Sequence, residues 1–206
     1  MPNNQGMEIF PLFSKLIGVA RLNLSPPDLQ KAQILLKKYK LKKANLDGTY
    51  ISTSLTVLED KKLNFLARAI DLQFQKYTRD FMQYYNSFKM TTSWITKLSP
   101  GKRGHEHIHR NNMISGVAYI TCPPNCGNLT FVNKELSVFE LPFEKMNMWN
   151  SSAYSFEPQP NTVVFFPTDM YHEVETNRSR TDRYSIAFNY LPLGEAGRGD
   201  SRVVYL

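Results

Sequence analysis

Three of the four histidines of this chain, His105, His107 and His109, alternate within one short segment, HEHIHR at 105–110, and the fourth is His172. In an extended strand, alternate side chains project from the same face, so two of these imidazoles can reach one metal ion. A third ligand must then come from elsewhere in the fold. Imidazole is a ligand for iron, zinc, copper and nickel. The spacing therefore indicates either a metal site or a solvated, hydrogen-bonded histidine cluster.

A second candidate group lies in the strand-like segment DRYSIAFNYL at 182–191, where Arg183 and Ser185 share a face. A guanidinium inside a β core is costly unless it meets an anion, and its planar fork matches a carboxylate. The anion can be a bound ligand or an acid of the chain, such as Asp169 or Glu173. Taken alone, the segment favours the structural salt bridge.

Three ordered blocks of the sequence together resemble a known enzyme family. The blocks are HIHRNNMISGVAYI at 107–120, VVFFPTDMYHEVETN at 163–177 and RYSIAFNYL at 183–191. They resemble the 2-oxoglutarate- and Fe(II)-dependent oxygenases, and most closely a bacterial and phage branch with the pattern HxHxxxxxSGxxY…FPxxxxHxVxxN…RxSxxFN. The resemblance spans residues 90–192 and extends weakly to the start of the chain, EIFPLFSKLIGVARL.

The resemblance implies a role for each matching residue. His107 and His172 match the two histidine ligands of the iron, and His109 occupies the position of the remaining ligand. Arg183 matches the base that clamps the distal carboxylate of 2-oxoglutarate, with Ser185 supporting it. The tyrosine that often donates to the same carboxylate is matched by Tyr119. No further catalytic side chain is implied beyond the metal ligands.

The sequence departs from the family at the second metal ligand. The usual set is two histidines and one carboxylate, whereas His109 stands at the carboxylate position. Three neutral imidazoles leave the site more positive by one charge, which is compatible with 2-oxoglutarate and also with a metal other than iron. An alternative register uses His105 and His107 and leaves His109 outside the coordination sphere. Glu106 projects from the opposite face of a regular strand, so it is a poor substitute.

The implied activity is hydroxylation of a small-molecule or protein substrate, with dioxygen consumed and succinate and CO2 released. The implied cofactor is Fe(II) and the implied cosubstrate is 2-oxoglutarate. One alternative is a non-catalytic metal- or ligand-binding jelly roll in which the altered ligand set has lost turnover. Another is an oxygenase directed at nucleic acid, for which a lysine-rich segment at 30–43 is the only support.

The hydrophobic pattern predicts one α+β, mainly β domain over residues 1–206. Residues 1–88 read as a helical N-terminal part, although the run LIGVARLNL at 16–24 resembles a strand. Ser25, in the motif SPPD, caps a helix over 28–40 whose apolar stripe is Leu29, Ala32, Leu36 and Tyr39. A longer helix over 59–85 has a packing stripe made of Leu63, Leu66, Ile70, Phe74, Tyr77, Phe81 and Tyr84. Residues 89–193 hold short β-branched and aromatic runs between Pro, Gly and Asn breaks, which predicts a β core. The family resemblance implies that this core is a double-stranded β-helix, a jelly-roll or cupin-like fold, with the helices packed on one sheet. The tail, 194–206, is expected to dock late or to move.

The charge distribution bears on whether the protein binds nucleic acid. The net charge is +7, and residues 30–43 hold six lysines and no acid. Lys31, Lys38 and Lys42 recur at helical spacing opposite the apolar stripe, which predicts a solvated helix face. Because no aromatic ladder is interleaved with the lysines, binding of nucleic acid is disfavoured.

The remaining segments carry weaker signals. No apolar run reaches the length of a membrane span and the N-terminus does not read as a signal peptide, so a cytoplasmic location is expected. Cys122 and Cys126, in TCPPNCG, are expected to be reduced loop thiols rather than a disulfide or a zinc clip. The segment 141–155 is either a lid over the site or a surface loop. Trp94 and Trp149 are candidates for the pocket wall, although aromatic residues are more often core.

Overall fold

The computed structural model describes residues 12–44, 48–135 and 141–205. Two α-helices and thirteen strands form within these ranges, with short 3-10 turns at Val57–Glu59, Lys61–Leu63 and Gly199–Ser201 and a π-helical segment at Lys76–Phe81. The helices are α1 Pro26–Leu36 and α2 Asn64–Gln75. The strands are β1 Gly18–Arg21, β2 Leu41–Lys43, β3 Thr49–Ser52, β4 Phe88–Leu98, β5 Gly104–His107, β6 Ile114–Thr121, β7 Leu129–Val132, β8 Ala153–Phe156, β9 Thr162–Pro167, β10 Tyr171–Val174, β11 Arg183–Pro192, β12 Gly194–Ala196 and β13 Val203–Tyr205.

Two antiparallel sheets make up the β core. The major sheet has the strand order β1-β9-β6-β11-β4-β3-β2, and the minor sheet has the order β5-β10-β7-β8. The central strands β4, β6, β7, β9 and β11 coincide with the apolar runs that predicted them. The pairing is non-local, since β11 lies between β4 and β6 and β10 lies between β5 and β7.

The N-terminal part contributes strands as well as helices, which corrects the prediction of a helical segment over 1–88. Strand β1 pairs with β9 at one edge of the major sheet. Strands β2 and β3 continue the sheet beyond β4 at the other edge. Strand β1 lies within the run 16–24 that resembles a strand, whereas β2 and β3 are only three and four residues long, too short for a periodic signal to show in the sequence.

The capping prediction for α1 is confirmed. The Ser25 side chain accepts a hydrogen bond from the backbone N–H of Asp28, and prolines occupy the first two helical positions. Ala32 and Leu36 are buried in the core. The helix ends at Leu36, however, so the predicted extent to residue 40 is wrong.

The early end of α1 changes the positions of two lysines. Lys42 and Lys43 lie in β2 rather than on the helix, and the spacing argument that grouped Lys42 with Lys31 and Lys38 is therefore wrong. All six lysines of the segment are exposed, as predicted.

A single helix over 59–85 was also predicted, and the structure divides it. Leu63, Leu66, Ile70 and Phe74 are buried along the expected stripe. After Gln75 the backbone enters the π-helical segment, whose wider turn rotates later residues off the 3.6-residue period. Tyr77 is still buried, but Phe81 is 76% exposed. The predicted packing role of Phe81 is therefore wrong.

The C-terminal tail forms a hairpin. Strands β12 and β13 pair antiparallel and make a separate two-stranded sheet, so the described part of the tail has regular structure. The segment 141–155 is also more ordered at its end than predicted, because its last residues belong to β8. Residues 141–150 form turns without a helix or strand, and their side chains are exposed.

The main hydrophobic core lies between the helices and the outer face of the major sheet. Phe74 of α2 stacks on Tyr190 of β11, with ring centroids 3.7 Å apart, and makes an edge contact with Phe165 of β9. Gln33 of α1 donates to the backbone carbonyl of Ile120 in β6. The helices thus brace one face of the major sheet and leave its other face to the minor sheet.

Candidate metal and cosubstrate site

The distant His172 does belong with the HEHIHR segment. Strands β5 and β10 pair antiparallel, and His107 lies directly opposite His172 in their register. His109 follows the end of β5, where its backbone N–H donates to the carbonyl of Thr168. This bond holds the turn after β9 against the chain leaving β5, which brings His109 toward the other two imidazoles.

The three imidazoles converge to metal-binding distance. One ring nitrogen from each of His107, His109 and His172 lies within 4.8 Å of the other two. Ring centroids are 4.4 Å apart for His107 and His172, 4.9 Å for His107 and His109, and 5.1 Å for His109 and His172. Nitrogens about 2.0–2.1 Å from one ion fall within such a spacing.

Backbone hydrogen bonds orient two of the rings. Nδ1 of His107 lies 2.9 Å from the carbonyl oxygen of His105, and Nδ1 of His172 lies 2.9 Å from that of Met170. A carbonyl can only accept, so each Nδ1 carries the proton and donates. Nε2 of each ring is consequently deprotonated and has a lone pair for a metal.

Burial keeps the cluster neutral. Desolvation lowers the pKa of His109 to about 3 and that of His172 to about 4, and it lowers the pKa of His107 as well. The neighbouring imidazoles act in the same direction on His109 and His172, because two nearby positive charges repel. Neutral imidazole is the form that binds metal ions, so the environment selects the ligand state at neutral pH.

The competing ligand candidates do not converge with these three imidazoles, although His105 also lines the pocket. His105 is exposed and is not a member of the converging set, although its ring lies 5.2 Å from that of His107. Glu106 forms an ion pair with Lys134 at 2.8 Å. Of the two registers left open by the sequence, the structure brings together His107, His109 and His172.

Arg183 is buried beside the histidines without an acidic partner. Only 3% of it is exposed, and its guanidinium donates to the carbonyl oxygen of Gly127 at 2.8 Å. The two acids considered as partners are paired with other groups, Asp169 with Lys15 and Glu173 with Arg103. Within the described ranges Arg183 makes no salt bridge, so the salt-bridge interpretation is not supported.

Tyr119 and Ser185 accompany Arg183 on the inner face of the major sheet. Ser185 of β11 lies opposite Tyr119 of β6, and the Tyr119 ring lies 5.0 Å below the Arg183 guanidinium. The Tyr119 hydroxyl is buried and has no hydrogen-bond partner in the part of the chain that the structure describes. An unpaired buried hydroxyl costs about 1–3 kcal/mol, a cost that a bound acceptor removes.

One cavity connects these groups. It has a volume of about 160 Å³, and its wall includes the three converging histidines together with Tyr119, Arg183 and Ser185. The rest of the wall is largely apolar, with Leu129, Phe166 and Val174 on the side of the minor sheet and β9. The structure thus places all six predicted site residues around one pocket.

One contributor to the site, Gly127, was not identified from the sequence. Gly127 supplies the carbonyl that holds Arg183, and it adopts φ +90°, where a Cβ would lie 2.2 Å from the carbonyl oxygen of Glu175. The CG pair that ends TCPPNCG was a signal for such a turn. Trp94, weighed as either pocket or core, lines the cavity and stacks on His109 with ring centroids 5.5 Å apart. Trp149 is exposed and is not part of the wall.

Both cysteines are free, as predicted. The Cys122 thiol donates a hydrogen bond to Cys126, which lowers the pKa of Cys126 to about 7. The same bond and burial raise the pKa of Cys122. Cys126 adjoins Gly127, so the thiol pair lies next to the loop that holds Arg183.

A family model described as "Putative 2OG-Fe(II) oxygenase" matches residues 92–189. The resemblance to the 2-oxoglutarate- and Fe(II)-dependent oxygenases is confirmed. The matched range includes all six predicted site residues. No curated protein matches the chain.

Solved structures of these oxygenases share the fold. A 2OG-Fe(II) oxygenase family oxidoreductase from Burkholderia pseudomallei is 13% identical, with 86% of this chain and 84% of that chain covered and a TM-score of 0.63. A prolyl-4-hydroxylase from Pseudomonas putida is 17% identical, with 85% and 93% covered and a TM-score of 0.58. HygX from Streptomyces hygroscopicus, solved with nickel, 2-oxoglutarate and hygromycin B, is 12% identical, with 85% and 82% covered and a TM-score of 0.63.

These likenesses confirm the predicted double-stranded β-helix core with N-terminal helices on one sheet. At such identities they say nothing further about the reaction of this chain. In the part of the chain that is described, no helix is long and apolar enough to cross a membrane.

Proposed function

We propose that this protein is a 2-oxoglutarate- and Fe(II)-dependent oxygenase that hydroxylates its substrate. The observation that carries the proposal is the grouping of three neutral imidazoles, one buried guanidinium without an acidic partner and one unpaired hydroxyl around a single pocket. Among the described residues, neither half of this set has a partner of the chemistry that it suits. A metal ion completes the first half, and a dicarboxylate completes the second.

His107, His109 and His172 are the residues that would hold Fe(II). A ring-nitrogen lone pair from each histidine can bind the ion. The hydrogen bonds from Nδ1 of His107 and His172 to backbone carbonyl oxygens fix the orientation of those two rings. Because no carboxylate belongs to the set, the site keeps the full double charge of the ion. 2-Oxoglutarate carries two negative charges and therefore compensates for the missing carboxylate.

Arg183, Tyr119 and Ser185 are the residues that would hold 2-oxoglutarate. The Arg183 guanidinium uses one N–H on Gly127, which leaves further donors of its planar fork for a carboxylate. The Tyr119 hydroxyl can donate to the same anion and so lose its desolvation penalty. Ser185 lies on the same face, opposite Tyr119.

The chemistry needs little from other side chains. Bound iron with 2-oxoglutarate and dioxygen supplies the oxidant for the substrate C–H bond, and 2-oxoglutarate leaves as succinate and CO2. The protein orients these partners and excludes water with the apolar wall around Leu129 and Phe166. Nothing in this scheme requires a separate general acid or base.

A second candidate function follows from the altered ligand set. The His109 side chain stands where a carboxylate is usual, so a metal- or ligand-binding protein without turnover remains an alternative. We also propose a single domain over 1–206, a cytoplasmic location and a small-molecule or protein substrate. A lid role for residues 141–155 is a further proposal.

The test is a turnover assay. Purified protein is incubated with 2-oxoglutarate, dioxygen and Fe(II), and succinate formation is measured with and without a chelator. The oxygenase proposal requires succinate that depends on all three. Metal and 2-oxoglutarate binding without any succinate, across a panel of small-molecule and peptide substrates, would establish the non-catalytic alternative instead.

A matched pair of variants tests the ligand set. His109→Ala should weaken metal binding by about 100-fold, whereas the exposed His105→Ala should change it by less than about threefold. Equal losses from the two variants would contradict the assignment of His109. His109→Asp restores the usual carboxylate, so metal binding should return in that variant.

A further inference from the structure

The cavity reaches the surface at Ala44, an exposed wall residue beside the edge of the major sheet formed by β2 and β3, and this end is called the entrance. Thr49 and Ile51 of β3 and Thr96 and Leu98 of β4 line the cavity. In the register, Thr49 lies opposite Leu98 and Ile51 lies opposite Thr96. Directly opposed residues of an antiparallel pair share a face, so the inner face of the major sheet continues across β3.

The same register assigns Lys42 to the inner face. Lys42 of β2 lies opposite Ile51, which lines the cavity. Ala44, two residues further along the chain, lines the cavity as well, as strand alternation from Lys42 requires. Lys42 is exposed, so its ammonium lies at the solvent end of this wall.

The next lysine of the strand belongs to the opposite face. Lys43 pairs with Tyr50, and Tyr50 pairs with Lys97. The Lys97 ammonium lies 5.6 Å from the centre of the Tyr50 ring and forms an ion pair with Asp182, on the side away from the cavity. Two adjacent lysines of equal charge and exposure therefore differ in the face that they occupy.

A second cation flanks the same entrance. The side chain of Lys102 runs against Gly48, where a Cβ would lie 2.6 Å from Lys102 Cδ, and Gly48 directly precedes the cavity residue Thr49. Lys42 and Lys102 make no ion pair with any described residue. The nearby acids are neutralised, Glu173 by Arg103 and Glu106 by Lys134.

The wall between this entrance and the histidines is largely apolar, although Thr96 and, opposite Leu98, Arg183 also line it. Ile51, Leu98 and Trp94 lie along it, and no acidic residue is among the described residues that line the cavity. A molecule that fills the route thus meets positive charge at the entrance, apolar surface along the way and the metal ligands at the end. Such a gradient selects for an anionic group on an apolar body.

We propose that the substrate carries a carboxylate or phosphate group, which Lys42 and Lys102 hold at the entrance while its apolar part reaches the histidines. This inference rests on the proposed oxygenase function, because it treats the cavity as the route of the substrate. It differs from the role proposed for Arg183, which begins β11 opposite Leu98 and holds the cosubstrate. The structure thus gives the lysine-rich segment a role at the pocket entrance that its sequence period did not predict.

The experiment uses tryptophan fluorescence as a reporter. The chain has two tryptophans, and Trp149→Phe removes the exposed one, so the remaining signal comes from Trp94 in the cavity wall. Protein saturated with Zn(II) and 2-oxoglutarate is titrated with phenyl phosphate, phenylacetate and the uncharged benzyl alcohol. Quenching of Trp94 measures occupancy, and the ranking of the two anions distinguishes a phosphate from a carboxylate preference.

Lys42→Gln should weaken binding of the preferred anion by about fivefold at low salt and leave benzyl alcohol unchanged, since one exposed charge contributes about 1 kcal/mol. Lys102→Gln should act in the same direction. Lys43→Gln is the matched control, with the same charge change on the other face, and should alter binding by less than about twofold.

Three outcomes would overturn the inference. Equal weakening by Lys42→Gln and Lys43→Gln would show that only net charge matters, and no weakening by either would remove the entrance from recognition. Anion binding that survives Lys42→Gln but is lost in Arg183→Leu would place the anion at the cosubstrate clamp. Failure of the oxygenase proposal is seen separately, as absence of 2-oxoglutarate binding to the parent protein.

Discussion

The two faces of the major sheet are built by the same strands and differ in almost every physical respect. Along β11, Ile186 and Phe188 project outward into the core under the helices, whereas Arg183, Ser185 and Ala187 project inward and line the cavity. Along β9, Phe165 packs outward, and its neighbour Phe166 packs inward. Because side chains alternate along a strand, residues that stabilise the fold lie on one face of the sheet and residues of the candidate site lie on the other.

The outer layer is apolar and well partnered. Phe165 is 1% exposed and contacts the rings of Phe74, Tyr77 and Phe188 at 5.6–5.9 Å between centroids. The inner layer has a much smaller apolar cluster, made by Tyr119, Leu129, Phe131, Val164 and Phe166. It also holds the buried Tyr119 hydroxyl, which has no hydrogen-bond partner among the described residues, so this group costs stability that the apolar packing must offset.

The largest expected effect belongs to the outer layer. Phe165→Ala should lower the free energy of unfolding by about 3–5 kcal/mol, because it opens a cavity among rings that cannot collapse into it. Ser185→Ala on the inner face of β11 should change it by less than about 1 kcal/mol. Urea unfolding of the metal-free protein measures both. Similar losses from the two variants would mean that both layers contribute equally to the free energy of unfolding.

The histidine cluster should make stability depend on pH in a defined direction. The folded-state pKa values of His109 and His172, about 3 and about 4, lie below the unfolded value of about 6.5, so protonation favours the unfolded chain. The stabilisation is full above pH 6.5 and is lost as the pH falls toward 4. We expect the metal-free protein to lose about 3–4 kcal/mol between pH 7 and pH 5.

Unfolding midpoints across this pH range provide the measurement. His109→Gln should flatten part of the profile, since a residue that does not titrate replaces one with a depressed pKa. Saturating Zn(II) should move the loss to lower pH, because the metal competes with protons for the same nitrogens. A metal-free protein with constant stability from pH 7 to pH 5 would contradict the burial of a neutral cluster.

The smallest expected effect concerns the Tyr119 hydroxyl and separates 2-oxoglutarate binding from the stability of the fold. Tyr119→Phe removes the unpaired buried hydroxyl, so it should leave the ligand-free protein unchanged or more stable by up to about 1 kcal/mol. The same variant should weaken 2-oxoglutarate by about fivefold, the value of one lost hydrogen bond. A destabilised variant with unchanged 2-oxoglutarate affinity would reverse the assignment of Tyr119 to the inner layer.

The sequence was informative where a signal is local and repeated. The alternation in TVVFFP and RYSIAFNYL predicted strands β9 and β11 and their two faces, and the SPPD motif predicted the start of α1. The six site residues were identified because three ordered blocks matched a family pattern. Their convergence depends on the β5–β10 and β6–β11 pairings, which no local spacing encodes.

The errors arose where tertiary contacts override a local period. Lys42 was assigned to a helix face because its spacing continues from Lys31 and Lys38, yet α1 ends at Leu36 and the chain joins the sheet edge through β2. Phe81 was assigned to the packing stripe because the widening of the helix after Gln75 leaves no mark in the hydrophobic pattern. The carbonyl of Gly127 was missed because every residue has a backbone carbonyl, so the sequence does not show which one accepts a hydrogen bond from Arg183.

The main proposal is that the inner face of β11 binds the cosubstrate next to a metal ion, which the histidines on the minor-sheet side of the pocket hold. It is tested most directly by calorimetric titration of 2-oxoglutarate into Mn(II)-loaded protein, for the parent and for Arg183→Leu. The account predicts 2-oxoglutarate binding that requires the metal, a loss of about 100-fold or more in Arg183→Leu, and Mn(II) affinity that is the same in both proteins. Equal 2-oxoglutarate affinity in the two proteins, or binding that ignores the metal, would contradict it.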